Sequence, residues 1–223
     1  MNNSEINLEQ YNKKSIEYWE GFFGGVTTNE IKYDDWLERF QNEINNCKTP
    51  IIDLGCGIGN DTKYLIEKGK EVIPCDFSPI AIQNINKNFP EIKRTEVFDM
   101  TEGLPFEDNY TELIIVDLSI HYFIEKVTFF ILEEIKRVLK PNGILLFRVN
   151  SINDTNYGAG SGKEIEHHLY EVSIQNGSLK RFFDKEDIDK FFDGWKILYL
   201  NEDILRRFLP EKKLWTGAVQ VIK

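Results

Sequence analysis

A loop of three glycines that follows an acidic residue carries the most chemical information in this sequence. Residues 51–61 read Ile-Ile-Asp-Leu-Gly-Cys-Gly-Ile-Gly-Asn-Asp, so that Asp53 is followed by Gly55, Gly57 and Gly59. Glycine takes positive φ freely and lets a ligand approach the backbone, so the loop predicts a ligand site. An apolar run precedes the loop and a helical pattern, Asn60 through Lys68, follows it. Open α/β sheets bind nucleotides at this position, between a strand and the next helix.

The spacing of the glycines indicates which ligand the loop binds. A dinucleotide fingerprint that starts at Gly55 would need its third glycine at position 60, where this chain has Asn60. An acid at the mouth of the loop would repel a pyrophosphate but suits an ammonium or a sulfonium group. The sequence also contains no G-x-x-x-x-G-K-[ST] phosphate loop. We therefore expect a ligand that is cationic at this end.

The elements that position this loop alternate between strand and helix. The predicted strands are apolar runs at Ile51–Leu54, Glu71–Cys75, Lys93–Phe98, Leu113–Val116 and Ile144–Val149. The predicted helices are Asp61–Lys68, Pro79–Asn88 and Val127–Leu139, the last one stopped by Lys140-Pro141-Asn142-Gly143. Nearly all-apolar strands in such an alternation predict a parallel sheet that is covered on both faces.

The two ends of the chain depart from this alternation. Two helical stretches, broken by Gly24-Gly25, are predicted at Leu8 to Gly21 and Asn29 to Asn45. After Asn150 a loop rich in Gly, Asn and Ser is expected, followed by a five-residue segment, a short helix and two strand-like runs. The predicted segments are Ser151–Gly162, Leu179–Phe183, Lys185–Phe192, Trp195–Leu200 and Lys213–Ile222, the last an antiparallel strand of the sheet.

The string D-L-G-C-G-I-G resembles motif I of the class I S-adenosylmethionine-dependent methyltransferases, and Asp76-Phe77-Ser78-Pro79 resembles their motif II. The resemblance implies a doubly wound, mostly parallel seven-stranded α/β sheet of the Rossmann-like methyltransferase kind, with an N-terminal helical cap. It implies one domain over residues 1–223, divided into the cap (1–48), the cofactor-binding core (49–150) and an acceptor-side insert with the final strands (151–223). The implied cofactor is S-adenosyl-L-methionine, and the implied product is S-adenosyl-L-homocysteine.

The same resemblance implies the residues that contact the cofactor. Asp76 would accept hydrogen bonds from the ribose, Asp99 and Met100 would hold the adenine, and Tyr11 would reach the methionine carboxylate. Ser78 also fits a purely structural role as a helix N-cap. The complete implied set is Tyr11, Asp53, Gly55, Cys56, Gly57, Gly59, Asp76, Phe77, Asp99, Met100, Asp117 and Leu118.

The segment Asp117-Leu118-Ser119-Ile120-His121-Tyr122-Phe123 resembles motif IV and supplies the candidate catalytic residues. Methyl transfer from a sulfonium is an in-line displacement, which requires alignment more than acid–base groups. His121 is a candidate base for an acceptor that has a proton to lose, and a structural histidine is the alternative. Tyr122 could line the acceptor pocket or face the cation.

Metal and disulfide chemistry are not expected. The chain has three cysteines without C-x-x-C spacing, which indicates neither a disulfide framework nor a zinc site. His167 and His168 are adjacent, and we expect their side chains to point in different directions and not to form one site.

Composition guides the prediction of the acceptor. The formal net charge is -10, which argues against a nucleic-acid substrate because phosphate neutralisation by Lys and Arg supplies most of that affinity. Motif IV lacks the N-P-P-Y or D-P-P-Y of enzymes that methylate amino groups of nucleic acids. The tail, with Gly177–Phe183 and Gly194-Trp195, resembles the tellurite-resistance branch of small-molecule methyltransferases.

The sequence therefore predicts a cytoplasmic enzyme with a small-molecule acceptor, no nucleic-acid partner and no membrane segment, present as a monomer or a weak homodimer. Two alternatives stay open at this point. One is a protein that binds S-adenosylmethionine without catalysis. The other is an NAD-dependent oxidoreductase, which Asn60 disfavours because a glycine is needed at that position.

Overall fold

The computed structural model describes residues 8–25, 31–206 and 208–223, and a seven-stranded sheet forms its centre. The strands of this sheet are β1 (Ile51–Leu54), β2 (Val72–Asp76), β3 (Glu96–Val97), β4 (Thr111–Asp117), β5 (Leu139–Asn150), β9 (Trp195–Leu205) and β10 (Lys212–Val221). Their order in the sheet is β3-β2-β1-β4-β5-β10-β9. The pairings among β1 to β5 are parallel, whereas β10 pairs antiparallel with both β5 and β9.

Helices cover the sheet, as nearly all-apolar strands require. They are α1 (Leu8–Gly25), α2 (Gln41–Asn46), α3 (Asn60–Glu67), α4 (Pro79–Asn88), α5 (Glu125–Val138) and α6 (Lys185–Phe191). Every residue of β1 and β2 is buried. The predicted fold class is therefore confirmed, including the final antiparallel strand.

A second, three-stranded antiparallel sheet lies between β5 and α6 in sequence, and the hydrophobic pattern did not predict it. Its strands are β6 (Lys163–Glu166), β7 (Leu169–Val172) and β8 (Ser178–Arg181), in the order β6-β7-β8. All four residues of β8 are buried, including Lys180 and Arg181. A strand that buries two cations does not show the apolar run that marks a buried strand.

Several predicted boundaries differ from the structure. The helix predicted at Asn29 to Asn45 is replaced, within the described residues, by a 3-10 turn at Trp36–Phe40 followed by α2. Gly24 and Gly25 belong to α1. Lys140–Gly143 is the first part of β5 and not a turn before it, with Asn142 at φ 62°.

Membrane insertion was not expected from the sequence. Within the described ranges, none of the helices has the length and apolar character needed to cross a bilayer.

Candidate active site

The three glycines of the loop after β1 serve different purposes. All three have positive φ, at 80°, 52° and 89°. A Cβ at Gly55 would collide with the Ser119 side chain, and one at Gly59 would lie 2.6 Å from Ile85 Cδ1, so these two glycines permit close packing. A Cβ at Gly57 would lie 3.6 Å from Phe23 Cε1 of α1 and would project between the loop and the helix. Gly57 therefore leaves a passage open between the glycine loop and α1.

That passage belongs to a cavity of about 760 Å³ between α1 and the carboxyl ends of the parallel strands. Aromatic side chains from α1, from the loops after β2 and β4 and from the last third of the chain form much of its wall: Tyr18, Trp19, Phe22, Phe23, Phe77, Tyr122, Phe123, Tyr157 and Phe208. Trp19 of α1 meets Tyr122 edge to face, with the ring centroids 5.9 Å apart. The helical cap thus lies over the loop that follows β4.

Asp76 connects the glycine loop to the end of β2. Its Oδ2 accepts a hydrogen bond from the backbone N–H of Gly57 at 3.0 Å, and its Oδ1 accepts one from Ser78 N at 3.0 Å. Burial raises the pKa of this carboxyl, and the backbone donors act against that rise. Each carboxylate oxygen has a second lone pair, so Asp76 can still accept hydrogen bonds from a ligand in the cavity.

Asp99 combines a structural role with a place in the cavity wall. Its Oδ1 accepts a hydrogen bond from Thr101 N at 2.9 Å and caps the turn Met100–Glu102. Asp99 and Met100 both line the cavity. The predicted adenine site is thus built on a capped turn.

Asp117, the last residue of β4, is held by a buried arginine. Arg148 Nε and Nη2 donate to the two oxygens of Asp117 at 2.7 Å each, and Arg148 Nη1 donates to both oxygens of Asp34. Burial opposes the charged guanidinium, but the two paired carboxylates outweigh burial and raise the pKa of Arg148. Arg148 lines a second cavity, of about 460 Å³, and fixes Asp117 from behind. It does not line the first cavity.

Asp53 lies beneath the loop. Its side chain is buried and accepts a hydrogen bond from the Thr62 hydroxyl at 2.5 Å. Burial raises its pKa to about 7, and the nearby Asp117 and Asp76 carboxylates contribute to the rise. Asp53 thus anchors α3 to β1 through Thr62.

Tyr11 binds the small sheet. Its hydroxyl donates to Glu171 Oε2 at 3.0 Å, and Lys14 donates to Glu171 Oε1 at 3.0 Å. Both bonds join α1 to β7, so Tyr11 fastens the helical cap onto the rest of the molecule in this structure.

Two buried lysines, Lys180 and Lys212, also line the cavity. Lys180 of β8 donates to the carbonyl oxygen of Tyr157 at 3.1 Å, and Lys212 begins β10 with Asp154 at 4.0 Å. Burial lowers the pKa of Lys180 to about 7, and the charge of Lys212 lowers it further while Asp154 acts in the opposite direction. Both ammonium groups lie near the face of the Tyr157 ring, at 5.8 and 5.2 Å from its centroid.

The two candidate catalytic residues occupy different environments. His121 is 1% exposed, and neither of its ring nitrogens has a hydrogen-bond partner among the described residues. Burial lowers its pKa well below the usual value, and Lys212 and Lys180 lower it further. Such a histidine is a weak proton acceptor near neutral pH. Tyr122 lines the cavity, and burial raises its pKa, so its hydroxyl stays protonated.

The expectation that the side chains of the adjacent histidines point in different directions was wrong. The rings of His167 and His168 are stacked, with centroids 3.8 Å apart. The left-handed backbone of His168, at φ 55°, turns its ring toward that of its neighbour. His168 Nδ1 lies 2.6 Å from Asp187 Oδ2, and ligand atoms of His167, His168, Asp184 and Asp187 fall within 4.8 Å of one another. In the described structure, Asp184 and Asp187 also form the capping box of α6.

The structure brings most of the predicted site together in one cavity wall. Of the residues singled out from the sequence, those that line it are Gly55, Cys56, Gly57, Asp76, Phe77, Asp99, Met100, Asp117, Leu118 and Tyr122. Tyr11, Asp53, Gly59 and His121 are not part of the wall. Sequence reasoning missed Asp61, Gln175, Lys180, Phe208 and Lys212, which do line it. Asp61 follows the glycine loop, so its position was the one local signal available, whereas the fold brings the other four from distant positions.

The residues present fit S-adenosylmethionine. The cavity is large enough for a nucleoside with an amino-acid chain. Gly57 leaves the backbone open to a ligand, and carboxylates from three strand ends face the cavity and suit hydroxyl, amine and sulfonium groups.

Comparison with known proteins supports this interpretation. The family model described as "Methyltransferase domain" matches residues 52–147. The tRNA N(3)-cytidine methyltransferase METTL6 of Rattus norvegicus is 27% identical over 94% of this chain and 78% of its own length. The tRNA N(3)-methylcytidine methyltransferase trm141 of Schizosaccharomyces pombe is 25% identical over 94% of this chain and 90% of its own length.

Among solved structures, the 1,6-didemethyltoxoflavin-N1-methyltransferase of Burkholderia thailandensis superposes with a TM-score of 0.73. The match covers all of this chain and 94% of the other, at 16% identity, and shows a shared fold.

These relatives correct two expectations. The predicted small-molecule acceptor and the predicted lack of a nucleic-acid partner were both wrong, because the curated relatives that match along most of the chain methylate cytidine in tRNA. The prediction from net charge failed because a sum over all side chains does not describe the charge inside one cavity.

The methyltransferase fold, the enzyme class and the cofactor are those predicted from the glycine loop. Residues 52–147 match a methyltransferase domain, the protein is an S-adenosylmethionine-dependent methyltransferase, and S-adenosyl-L-methionine is its methyl donor.

Proposed function

We propose that this enzyme methylates a cytidine of tRNA at N3, the reaction named for the curated relatives. The resemblance to the tellurite-resistance branch implied a small-molecule acceptor, and this proposal does not include that branch. One observation carries the proposal: the charge of the cavity wall changes sign along the sheet. Asp76 and Asp117 end β2 and β4, and Asp99 lies two residues after β3. Lys212, in contrast, begins β10 beside the carboxyl end of β5, and Lys180 is close to it.

This polarity separates two binding regions. The carboxylates of Asp76, Asp99 and Asp117 suit the donor, which is positively charged at sulfur. Ammonium groups in a partly enclosed, low-dielectric site attract a phosphodiester more strongly than they would in water. We assign the acceptor RNA to the region of Lys180 and Lys212.

Aromatic side chains between the two regions suit an unpaired base. Single-stranded RNA is recognised largely by stacking bases on aromatic rings and by contacts to their Watson–Crick edges. Trp19, Tyr122, Tyr157 and Phe208 line the cavity and come from the cap, the loop after β4 and the acceptor-side insert. We propose that one of these rings stacks on the target cytosine.

The chemistry asks little of the side chains. Bound S-adenosylmethionine supplies an activated methyl group on a sulfonium. The N3 atom of cytosine has a lone pair and no proton to lose, so a general base is not needed. The lowered pKa of His121 agrees with that requirement, and we assign His121 to packing. The residues then act by alignment, which can supply several kcal/mol when the reacting atoms are well oriented.

We assign the donor contacts to the residues of the wall. Asp76 would hold the ribose, Asp99 and Met100 the adenine, and Gly55 to Gly57 the methionine portion. Asp117, fixed by Arg148, and Leu118 would border the transferable methyl group.

The test offers the enzyme a choice of acceptors. Purified protein is incubated with methyl-labelled S-adenosylmethionine, total unmodified tRNA and a metabolite extract, and the RNA and small-molecule fractions are counted separately. We expect label in the RNA. Label in the small-molecule fraction alone would overturn the proposal. Gly57→Val, which places a β-branched side chain at φ 52° in the donor passage, is the negative control and should transfer nothing.

A further inference from the structure

Asp61 presents to the cavity a carboxylate oxygen that the donor contacts assigned above do not use. The residue lies in the first turn of α3, two residues after Gly59, and is 5% exposed. Its Oδ1 accepts a hydrogen bond from Trp36 Nε1 at 2.9 Å, which fixes the side chain. Its Oδ2 has no hydrogen-bond partner among the described residues, and it is not one of the unpartnered atoms that are shielded from solvent. Because Asp61 lines the cavity, this oxygen is open to a ligand there.

The surroundings of Asp61 leave its negative charge uncompensated. Burial raises the pKa of Asp61 well above its usual range, and the Asp117 and Asp53 carboxylates raise it further. The charge of Arg148 and the hydrogen bond from Trp36 act in the opposite direction, but the guanidinium is already bonded to two other carboxylates. A buried carboxylate needs a cationic partner to be stable in its charged form. A cation in the cavity would therefore bind favourably at this oxygen.

The position of Asp61 along the sheet indicates which part of the donor reaches it. The proposed function places the ribose at Asp76, the end of β2, and the adenine farther along toward β3. Trp36, which donates to Asp61, lies against the Arg148 guanidinium, with 4.7 Å between Cζ and the ring centroid. Arg148 in turn holds Asp117 at the end of β4. Asp61 therefore lies on the β4 side of the ribose, where the methionine portion would extend.

The α-ammonium is the group of the methionine portion that fits a carboxylate oxygen. The sulfonium is cationic but has no N–H to donate, and the α-carboxylate would be repelled. An ammonium supplies both a positive charge and N–H donors, and hydrogen bonds between two charged groups are roughly twice as strong as neutral ones.

We propose that Asp61 binds the α-ammonium of S-adenosylmethionine, with Oδ2 accepting a hydrogen bond from it while Trp36 holds Oδ1. This inference rests on the donor placement in the proposed function, and it does not depend on which acceptor is methylated. It gives the amino-acid end of the donor a fixed anchor. An anchored amino-acid end restricts the direction of the sulfonium methyl group, which in-line transfer requires.

Two ligands that differ only at the amine test this contact. Calorimetry compares S-adenosylhomocysteine with its deamino analogue, in which hydrogen replaces the amine. We expect the wild type to bind S-adenosylhomocysteine at least about tenfold more tightly, as a hydrogen bond between charged groups provides. Asp61→Asn keeps an oxygen for Trp36 but removes the charge, so it should bind the two ligands with nearly equal affinity.

Asp76→Asn is the matched control, because it makes the same carboxylate-to-amide change at the ribose and should weaken binding of both ligands by the same factor. If Asp76→Asn weakens neither ligand, the donor placement of the proposed function fails and the inference fails with it. If Asp76→Asn weakens both equally and Asp61→Asn keeps the wild-type preference, the inference alone is overturned.

A second measurement uses the wild type and decides the matter even if Asp61→Asn does not fold. An ammonium beside Asp61 favours the ionised carboxylate, so S-adenosylhomocysteine should release a proton on binding near pH 7. The deamino analogue lacks the ammonium and should release fewer protons. Calorimetry in buffers of different ionisation enthalpy counts the protons released. Equal release with both ligands would contradict the inference.

Discussion

At the residue scale, the carboxylates of the donor site are held by bonds within the protein before any ligand arrives. Asp76 receives two backbone N–H donors, and Asp117 receives two from Arg148. Because their positions are fixed in advance, little ordering entropy is lost when a ligand binds. In the proposed function each of these side chains serves both the local fold and the ligand, and substitutions must separate the two roles.

Asp76 offers the most direct residue-level test of the donor site. Asp76→Asn keeps one oxygen for the backbone of the loop but removes the charge that strengthens hydrogen bonds to the ribose. Hydrogen bonds to a charged group are worth about 1.5–3 kcal/mol, so we expect affinity for S-adenosylhomocysteine to fall at least tenfold. Calorimetry measures this, with the urea midpoint as a check on folding. A folded variant with wild-type affinity would exclude Asp76 from the ribose site.

The buried ammonium of Lys180 predicts a pH dependence of stability. Its pKa in the folded protein is about 7, whereas in the unfolded chain it is about 10.4. Between these values the unfolded state binds more protons, so this residue makes the free energy of unfolding rise with pH, by at most about 1.4 kcal/mol per unit. Below pH 7 both states are protonated, so stability no longer changes with pH through this residue and the full cost of the buried charge is present.

Lys180→Met should therefore flatten the rise in stability between pH 7 and pH 9 and raise stability most at pH 6. Urea denaturation at each pH measures this, with Lys185→Met as the control because that side chain is 54% exposed. Parallel curves for wild type and Lys180→Met would mean that the ammonium is not buried as described.

At the scale of elements, α1 and the small sheet are joined at one carboxylate. Glu171 of β7 binds both Tyr11 and Lys14 of α1, and the same helix carries Trp19 and Phe23 over the cavity. This pair of contacts is partly exposed, so each is worth about 1 kcal/mol or less. A weak connection suits a cap that must open to admit a cofactor.

Glu171→Ala should loosen this cap. We expect faster hydrogen exchange across α1 and roughly fivefold faster release of S-adenosylhomocysteine, which corresponds to about 1 kcal/mol. Lys13→Ala is the control, since Lys13 pairs with Glu17 within the same helix. Equal exchange rates in α1 for the two variants would show that Glu171 does not hold the cap.

Arg148 connects β5 to the end of β4 and to the segment before α2. Removing one partner of a buried ion pair leaves uncompensated charge, so Arg148→Met should lower the free energy of unfolding by about 3–5 kcal/mol. Arg39→Met is the control: its pair with Asp203 is partly exposed, and its loss should cost about 1 kcal/mol or less. Equal urea midpoints for the two variants would contradict this account of Arg148.

The core of the fold was predictable because its strands are apolar and its helices have clear ends. Pro79–Asn88 was predicted with both ends correct, since Ser78 caps it and Pro79 starts it. The three-stranded sheet was not predictable from hydrophobicity, because β6 is Lys-Glu-Ile-Glu and β8 buries Lys180 and Arg181. The acceptor region depends on that sheet, so Lys180 could not be assigned from the sequence.

At the scale of the whole molecule, an excess of acid coexists with a cavity that two buried lysines line. The net charge of -10 is a sum over the charged side chains of the whole chain. Exposed ion pairs such as Lys185 with Asp189 cancel within that sum. In the proposed function RNA would instead meet the field inside the cavity, to which Lys180 and Lys212 contribute. Composition therefore predicted the partner wrongly, whereas the glycine loop, a local feature, predicted the cofactor correctly.

The position of the methyl group on RNA tests the central claim most directly. Unmodified tRNA is incubated with the enzyme and S-adenosylmethionine, digested to nucleosides and analysed by mass spectrometry against standards for cytidine methylated at N3, C5 and N4. The account predicts 3-methylcytidine, formed by the wild type and absent with Gly57→Val. Methylation of another base, methylation at C5 or N4, or no methylated nucleoside at all would contradict it.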